Sequence, residues 1–220
     1  MRFLGFGAHP EDAEIFFLGT LAAAKAGGAE IGWAIATDGS KGGKNPAKDL
    51  PQVRRAEAKA AAALLEVEPI FLDHVDGELS GDRNAAAKVE AALLAFAPDL
   101  VVTHAPNDYH PDHRTLSALV RDAARFRAPV VYADTLIGVG FEPTVVVDVS
   151  AHFDLKRQAI RRHVSQRPER FVEACEVWNR FRALQCNAPG SYAEAFRFEP
   201  VYPFADIRAL MPPAPPVRPL

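Results

Sequence analysis

Cysteine is scarce in this 220-residue chain, which has only Cys175 and Cys186. Two thiols are too few for the disulfide framework of a small secreted domain. A basic excess is also missing. Twenty-five Lys and Arg against 28 Asp and Glu give a formal net charge of −3. That leaves no electrostatic footprint for a phosphate backbone, so nucleic acid is excluded as the main partner. The substrate is expected to be small and not strongly anionic. No apolar run approaches the roughly 20 residues of a membrane span. The start, Met1-Arg2-Phe3, runs straight into a short strand without the apolar core of a signal peptide. A reducing cytoplasm fits these absences. There is no Gly-x-Ser-x-Gly nucleophile elbow. Gly5-Phe6-Gly7 resembles the start of a dinucleotide fingerprint, but Pro10 stands where the third glycine belongs. The two glycines therefore read as positions of close helix–strand packing.

The chain is 49% hydrophobic and 24% charged, long enough for one sizeable core and short for two. One domain over residues 1–210 is expected, followed by a Pro-rich tail at 211–220 that suits neither a helix nor a central strand. Strand-like runs near 2–7, 30–37, 69–73, 99–104 and 129–133 alternate with helical patterns near 12–27, 51–66, 84–97, 113–127 and 151–164. This alternation predicts an α/β fold: a single-domain, Rossmann-like, mainly parallel sheet with helices on both faces. A further strand is expected at Thr144–Val149. The helix after it carries Lys156, Arg157, Arg161, Arg162 and His163, read as a solvated basic face. Phe171, Ala174, Cys175, Trp178 and Phe181 recur at helical spacing, which predicts packing on the core and a buried, unreactive Cys175.

Four of the seven histidines fall in two short stretches, Ala8-His9-Pro10-Glu11-Asp12-Ala13-Glu14 and His104-Ala105-Pro106-Asn107-Asp108-Tyr109-His110-Pro111-Asp112-His113. Each follows an apolar strand-like run and precedes a helix, at the strand ends where open α/β sheets place ligands. His9 and Asp12 are three residues apart at a helix entrance, which brings their β-carbons to about 5–6 Å in a helical turn and suits chelation of one ion. His110 and His113 repeat the spacing. The helix dipole there opposes imidazolium and keeps an imidazole able to ligate. Pro and acids are also favoured at helix starts for structural reasons alone, so His9 to Asp12 could be merely a helix start. Three histidines and two aspartates within ten residues serve no capping purpose, and the pair of motifs together points to a metal site.

At these residues the chain resembles the PIG-L/LmbE-like zinc-dependent N-acetylglucosamine deacetylases. Their signature Ala-His-Pro-Asp-Asp-x-Glu is met by Ala8 to Glu14, with Glu11 replacing the first Asp, and their His-Pro-Asp-His by His110 to His113. Weaker matches are Thr37-Asp38-Gly39, Arg54 to Ala58, Asp76 to Leu79, His163 to Gln166 and Tyr192 to Phe196, so the resemblance covers roughly residues 2–198. The resemblance implies Zn2+, or another divalent metal, held by His9, Asp12 and His113. It implies Glu11 as general base, His110 as the oxyanion-stabilising histidine, Asp112 as the acid orienting that histidine, and Arg54 near the acyl end of the substrate. The implied reaction is hydrolysis of an N-acetyl group from an N-acetylglucosaminyl-type small molecule or glycoconjugate, with water activated by the metal and Glu11. Asp38, Asp73 and Asp76 fall near strand ends and could bind sugar hydroxyls or serve turns and caps.

Two other functions remain in view. Two histidines and a carboxylate also describe the iron triad of non-haem oxygenases, although the adjoining base and oxyanion candidates suit hydrolysis. A lapsed homologue, idle at Glu11, would only bind metal or sugar. The identity of the N-acetylated substrate and the oligomeric state are not encoded legibly.

Overall fold

The structure, a computed structural model, describes residues 1–43 and 46–216; the last four residues of the expected tail, 217–220, lie outside the described residues. The strands are β1 (Arg2–Gly7), β2 (Glu30–Thr37), β3 (Ile70–His74), β4 (Leu100–His104), β5 (Val130–Ala133), β6 (Val145–Asp148) and β7 (Ala193–Phe198). They form one seven-stranded sheet in the order β3-β2-β1-β4-β5-β7-β6. The first five pair in parallel, and β7 runs antiparallel between β5 and β6. The mainly parallel α/β sheet is therefore as expected. The chain leaves β1 toward β2 and β3, then returns to lay β4 on β1's other side. The carboxyl ends of β1 and β4 thus flank the topological switch point, where such sheets open a crevice.

The helices are α1 (Asp12–Phe16), α2 (Leu18–Ala26), α3 (Leu50–Ala62), α4 (Ala85–Phe96), α5 (Pro111–Ala124), α6 (Phe153–Ile160) and α7 (Glu169–Gln185). Strand alternation sorts two cores. Phe3, Trp33, Ile35 and Val102 face α1, α2, α3, α6 and α7, whereas Leu4, Phe6, Ala34 and Val101 face α4 and α5. The helix expected over 12–27 is broken at Phe17, whose φ of −151° leaves the helical region. The fully buried Phe17 ring lies against Gly5, where an added Cβ would come within 2.5 Å of it. A Cβ on Gly7 would meet the Asp12 side chain at 3.0 Å. These glycines allow helix to approach strand, as their place in the sequence suggested.

Two expectations for the last third fail. The basic helix is not wholly a solvated face: Arg161 and Arg162 are exposed, but Lys156 and His163 are fully buried. Lys156 Nζ lies 2.6 Å from Glu194 Oε1 on β7, and His163 Nε2 lies 3.5 Å from Glu14 Oε1. Periodicity within one helix cannot reveal a partner that a distant strand supplies. In α7 the core face is Val172, Cys175, Trp178 and Ala183, while Phe181 is half exposed because it lies nearly opposite Val172 and Ala183 around the helix. Cys175 is buried, as expected, and burial pushes its thiol up to about 11. Among the described residues no helix is long and apolar enough to cross a membrane. Beyond the sheet, the Pro213 carbonyl accepts from Asp148 N at 2.9 Å.

Glu194 also accepts from the backbone N–H groups of Gly19 and Thr20, at 3.0 and 2.8 Å. It therefore caps α2 from across the fold, and Lys156 neutralises it. Replacing Lys156 by Met should destabilise the protein by about 3–5 kcal/mol in urea unfolding, because Glu194 is left buried without its cation. A loss below about 1 kcal/mol would show that the pair is dispensable.

Candidate metal centre

Both histidine motifs reach the switch point as short turns at strand ends. After β1 the chain turns at His9 and Pro10, and Asp12 closes the turn by accepting from His9 N at 2.7 Å. After β4 the chain passes Asp108, whose Oδ1 accepts from His110 N at 2.9 Å, and enters α5 at Pro111. Pro at the first helical position costs no hydrogen bond, since that N–H has no partner in the helix.

Three ligand atoms then converge. His9 Nδ1 lies 3.2 Å from Asp12 Oδ2, His113 Nε2 lies 3.3 Å from the same oxygen, and the two nitrogens are 3.2 Å apart. A tetrahedral ion 2.0–2.2 Å from its ligands sets neighbouring ligand atoms roughly 3.3–3.6 Å apart. The observed triangle is thus close to one face of such a polyhedron, and all three residues are buried. Other sets overlap it: His9, His110 and His113, of which His110 is half-buried, and the buried sets Asp12, His104 and His113, and His9, Asp76 and Asp112.

The electrostatics show how much positive charge this site calls for. Burial disfavours charge on His9, but the carboxylates of Asp12, Asp112 and Asp76 outweigh it and hold the imidazolium well above its ordinary range. Burial likewise opposes charge on His113, yet Asp12 and Asp108 raise it to about 9. Asp12 is held well below the usual carboxylate range: burial works against this, and the facing imidazoles of His113, His104 and His9 prevail. A divalent cation would satisfy the same carboxylates while leaving the imidazoles neutral.

His110 lines the cleft beside this triangle. Its Nδ1 accepts from Asp112 N at 3.2 Å, which places the ring proton on Nε2. Burial, then the neighbouring His9 and His113, push its pKa down, so the ring is a neutral donor. Asp112 orients His110 through its backbone. Its carboxylate turns elsewhere, accepting from Gly77 N at 2.7 Å and lying 3.6 Å from His9 Nε2. Position N2 of a helix directs the amide, not the carboxylate, back to the capping residue.

Glu11 and Arg54 form a buried ion pair through Oε2 and Nη2. Arg54 is anchored by donating from Nη1 to the Gly39 carbonyl at 2.7 Å. Gly39 has φ +66°, and an added Cβ would sit 2.5 Å from the guanidinium, so this turn requires glycine. Asp76 faces His9 Nε2 at 3.3 Å and lines the cleft. Asp38 does not line it: its Oδ1 accepts from Ser40 N and Asp76 N, at 2.9 and 3.1 Å, bracing the loop that carries Asp76. Asp73 is exposed and pairs with Arg55.

Two residues without an assigned role in the sequence complete the centre. Asp108 Oδ1 lies 3.1 Å from His113 Nδ1, holding the ring proton there and leaving Nε2 free. His104 stacks on His113 with ring centroids 3.7 Å apart and places Nε2 3.1 Å from Asp12 Oδ2. Burial and the neighbouring His113 push His104 down to about 4, so it is a neutral backstop. Both stand inside the second motif, and their spacing alone did not separate ligands from supports.

The cleft has a volume of about 470 Å³, suited to a sugar-sized ligand, with Tyr109, Leu136 and Phe171 on its apolar walls. Known deacetylases resemble the chain in sequence and in fold. The family model described as PIG-L: GlcNAc-PI de-N-acetylase matches residues 4–124. The diacetylchitobiose deacetylase of Thermococcus kodakarensis is 30% identical, over 90% of this chain and 85% of that protein. The inhibitor-bound N,N'-diacetylchitobiose deacetylase of Pyrococcus horikoshii superposes with a TM-score of 0.78 at 26% identity, covering 94% of this chain and 88% of that one. The 4-carboxy-2-hydroxymuconate hydratase GalB of Pseudomonas putida KT2440 also has a TM-score of 0.78, at 21% identity over 91% of this chain and 97% of that one, and shares the fold. Fold, the two signatures and the matched residues agree: this chain belongs to the PIG-L family of de-N-acetylases.

Proposed function

We propose that the protein is a zinc-dependent N-deacetylase that releases acetate from an N-acetylglucosaminyl-type substrate. The observation that carries this reading is the triangle of His9 Nδ1, Asp12 Oδ2 and His113 Nε2, with edges of 3.2–3.3 Å. Two nitrogens and one oxygen suit zinc, and three protein ligands leave a coordination position for substrate, as in catalytic zinc sites. When bound, the ion supplies Lewis acidity toward the acyl carbonyl and acidifies water.

The remaining steps belong to the chain. Glu11, fixed in place by Arg54, takes a proton from the water whose oxygen attacks the acyl carbon. The neutral His110 donates from Nε2 to the oxygen on which negative charge develops. Glu11 then returns the proton to the amine nitrogen as the carbon–nitrogen bond breaks, giving acetate and a free amine. Asp112 holds His110 through its backbone N–H and His9 through its carboxylate. Arg54 and Asp76 sit on the substrate side of the cleft, and Asp38 acts one step back by bracing Asp76. The two free cysteines support a reducing compartment, the cytoplasm.

The reading is tested by acetate release from a panel of N-acetylglucosaminides. The native protein should release acetate, and Glu11→Gln should nearly abolish turnover while retaining the metal. A Gln variant working at the native rate would refute the general-base role. His113→Ala should lose metal and turnover together, measured by elemental analysis of the purified variant; full metal occupancy would overturn the ligand assignment. His110→Ala should keep its metal and lower kcat by roughly 10²–10³-fold, since it acts on charge that develops only in the transition state. Loss of metal in that variant would make His110 a ligand.

A further inference from the structure

Phe16, the last residue of α1, is buried and lines the cleft. Its ring meets two imidazoles of the centre nearly at right angles: His104 at 5.2 Å between centroids with planes 83° apart, and His113 at 5.7 Å and 88°. Edge-to-face contact of this kind is directional. It supplies what the hydrogen bonding of His113 leaves open. Asp108 fixes that ring at Nδ1, and a ring held at one atom can still tilt about the bond. His104 covers one face of it, with its own Nε2 accepting from Ala8 N at 3.1 Å, and Phe16 stands across both rings. A five-residue helix gives Phe16 little support of its own. The support comes from α7 and the end of β5. Trp178 packs on Phe16 at 5.9 Å and 76°, and its Nε1 donates to Asp134 Oδ2 at 2.8 Å. Arg182 Nε donates to the same oxygen at 2.5 Å. Asp134 directly follows Ala133, the β5 residue in register with His104, so this anchor sits beside the centre it supports. Burial raises the Asp134 carboxyl above its ordinary range despite both donors, so the group contributes orientation rather than stability.

Resting on the metal-dependent reading, we propose that Phe16 is a positioning residue for the metal centre, held in place by Trp178 and Asp134. It fixes the tilt of His113, keeps water from that side of the imidazole pair, and so sets how tightly the ion is retained. Ring orientation and the apolar shell around a site govern metal affinity alongside the ligands themselves.

The test measures the affinity of the full chain for Zn2+ alone, by competition with a chelating dye, beside its stability in urea. Phe16→Leu and Trp178→Phe should each weaken zinc binding by about tenfold, the scale of a lost supporting contact around a metal site. The control is Phe3→Leu, since Phe3 is fully buried in the same core but stands at the amino end of β1, away from the centre. That variant should lose stability comparable to Phe16→Leu and bind zinc as the native protein does. Because Trp178 acts through Phe16, the Phe16→Leu/Trp178→Phe double variant should bind no more weakly than Phe16→Leu alone. Native affinity in Phe16→Leu, an equal loss in Phe3→Leu, or losses that multiply in the double variant would each overturn the proposal. If Phe16→Leu does not fold, Trp178→Phe decides, since it keeps an aromatic ring and loses the N–H donor. A native chain without affinity for zinc would overturn both the proposal and the metal reading. Acetate release is assayed separately: zinc binding without release refutes the deacetylase reading, and the comparison of variants still decides the role of Phe16.

Discussion

The carboxylate of Asp12 is the point on which the rest of the centre depends. One of its oxygens receives the His9 backbone N–H and is approached by His9, His104 and His113 from two separate strand ends. A single buried oxygen so placed fixes the turn after β1, the position of α1 and the mutual distance of three imidazoles. The two halves of the crevice are held by this convergence as well as by the sheet, and burial makes it strong because water does not screen it. In the absence of a cation His9 and His113 retain protons, so metal binding here is an exchange of protons for an ion.

The same fold serves a deacetylase and a hydratase among its structural neighbours, so the chemistry must be argued from side chains. What favours hydrolysis of an amide is a graded set of roles around one point. Three residues offer ligand atoms, a fourth presents a neutral ring N–H, and a fifth offers a carboxylate held by a buried arginine. Each is positioned by backbone at a strand end, and each has a partner that fixes it: Asp108 for His113, the Asp112 amide for His110, Arg54 for Glu11. Such supporting contacts limit the motion that would otherwise blur the reacting geometry.

Much of this was legible in the sequence because the motifs are local. Strand, turn and helix entrance occur within a dozen residues, so alternation gave the parallel sheet and spacing brought His9, Asp12, His110 and His113 to one end of it. The strand β7 was not recognised, since Ala193–Phe198 is buried apart from Arg197 and lacks the polar alternation of a strand with one wet face. Lys156 and His163 were misread for a related reason: their partners, Glu194 and Glu14, are remote in sequence, and a helical wheel contains no record of them. The carboxylate of Asp112 was assigned to His110 by motif, whereas its rotamer answers to Gly77, a contact across 35 residues.

The cap that Glu194 places on α2 links residues separated by 174 and 175 positions. The helix pair that carries Asp12 is made well before the group that caps its second helix. Until Glu194 arrives the amides of Gly19 and Thr20 lack this acceptor, and long-range closure of this kind is slow. The helix that follows the Asp12 turn therefore gains its full complement of hydrogen bonds only once β7 has joined the sheet.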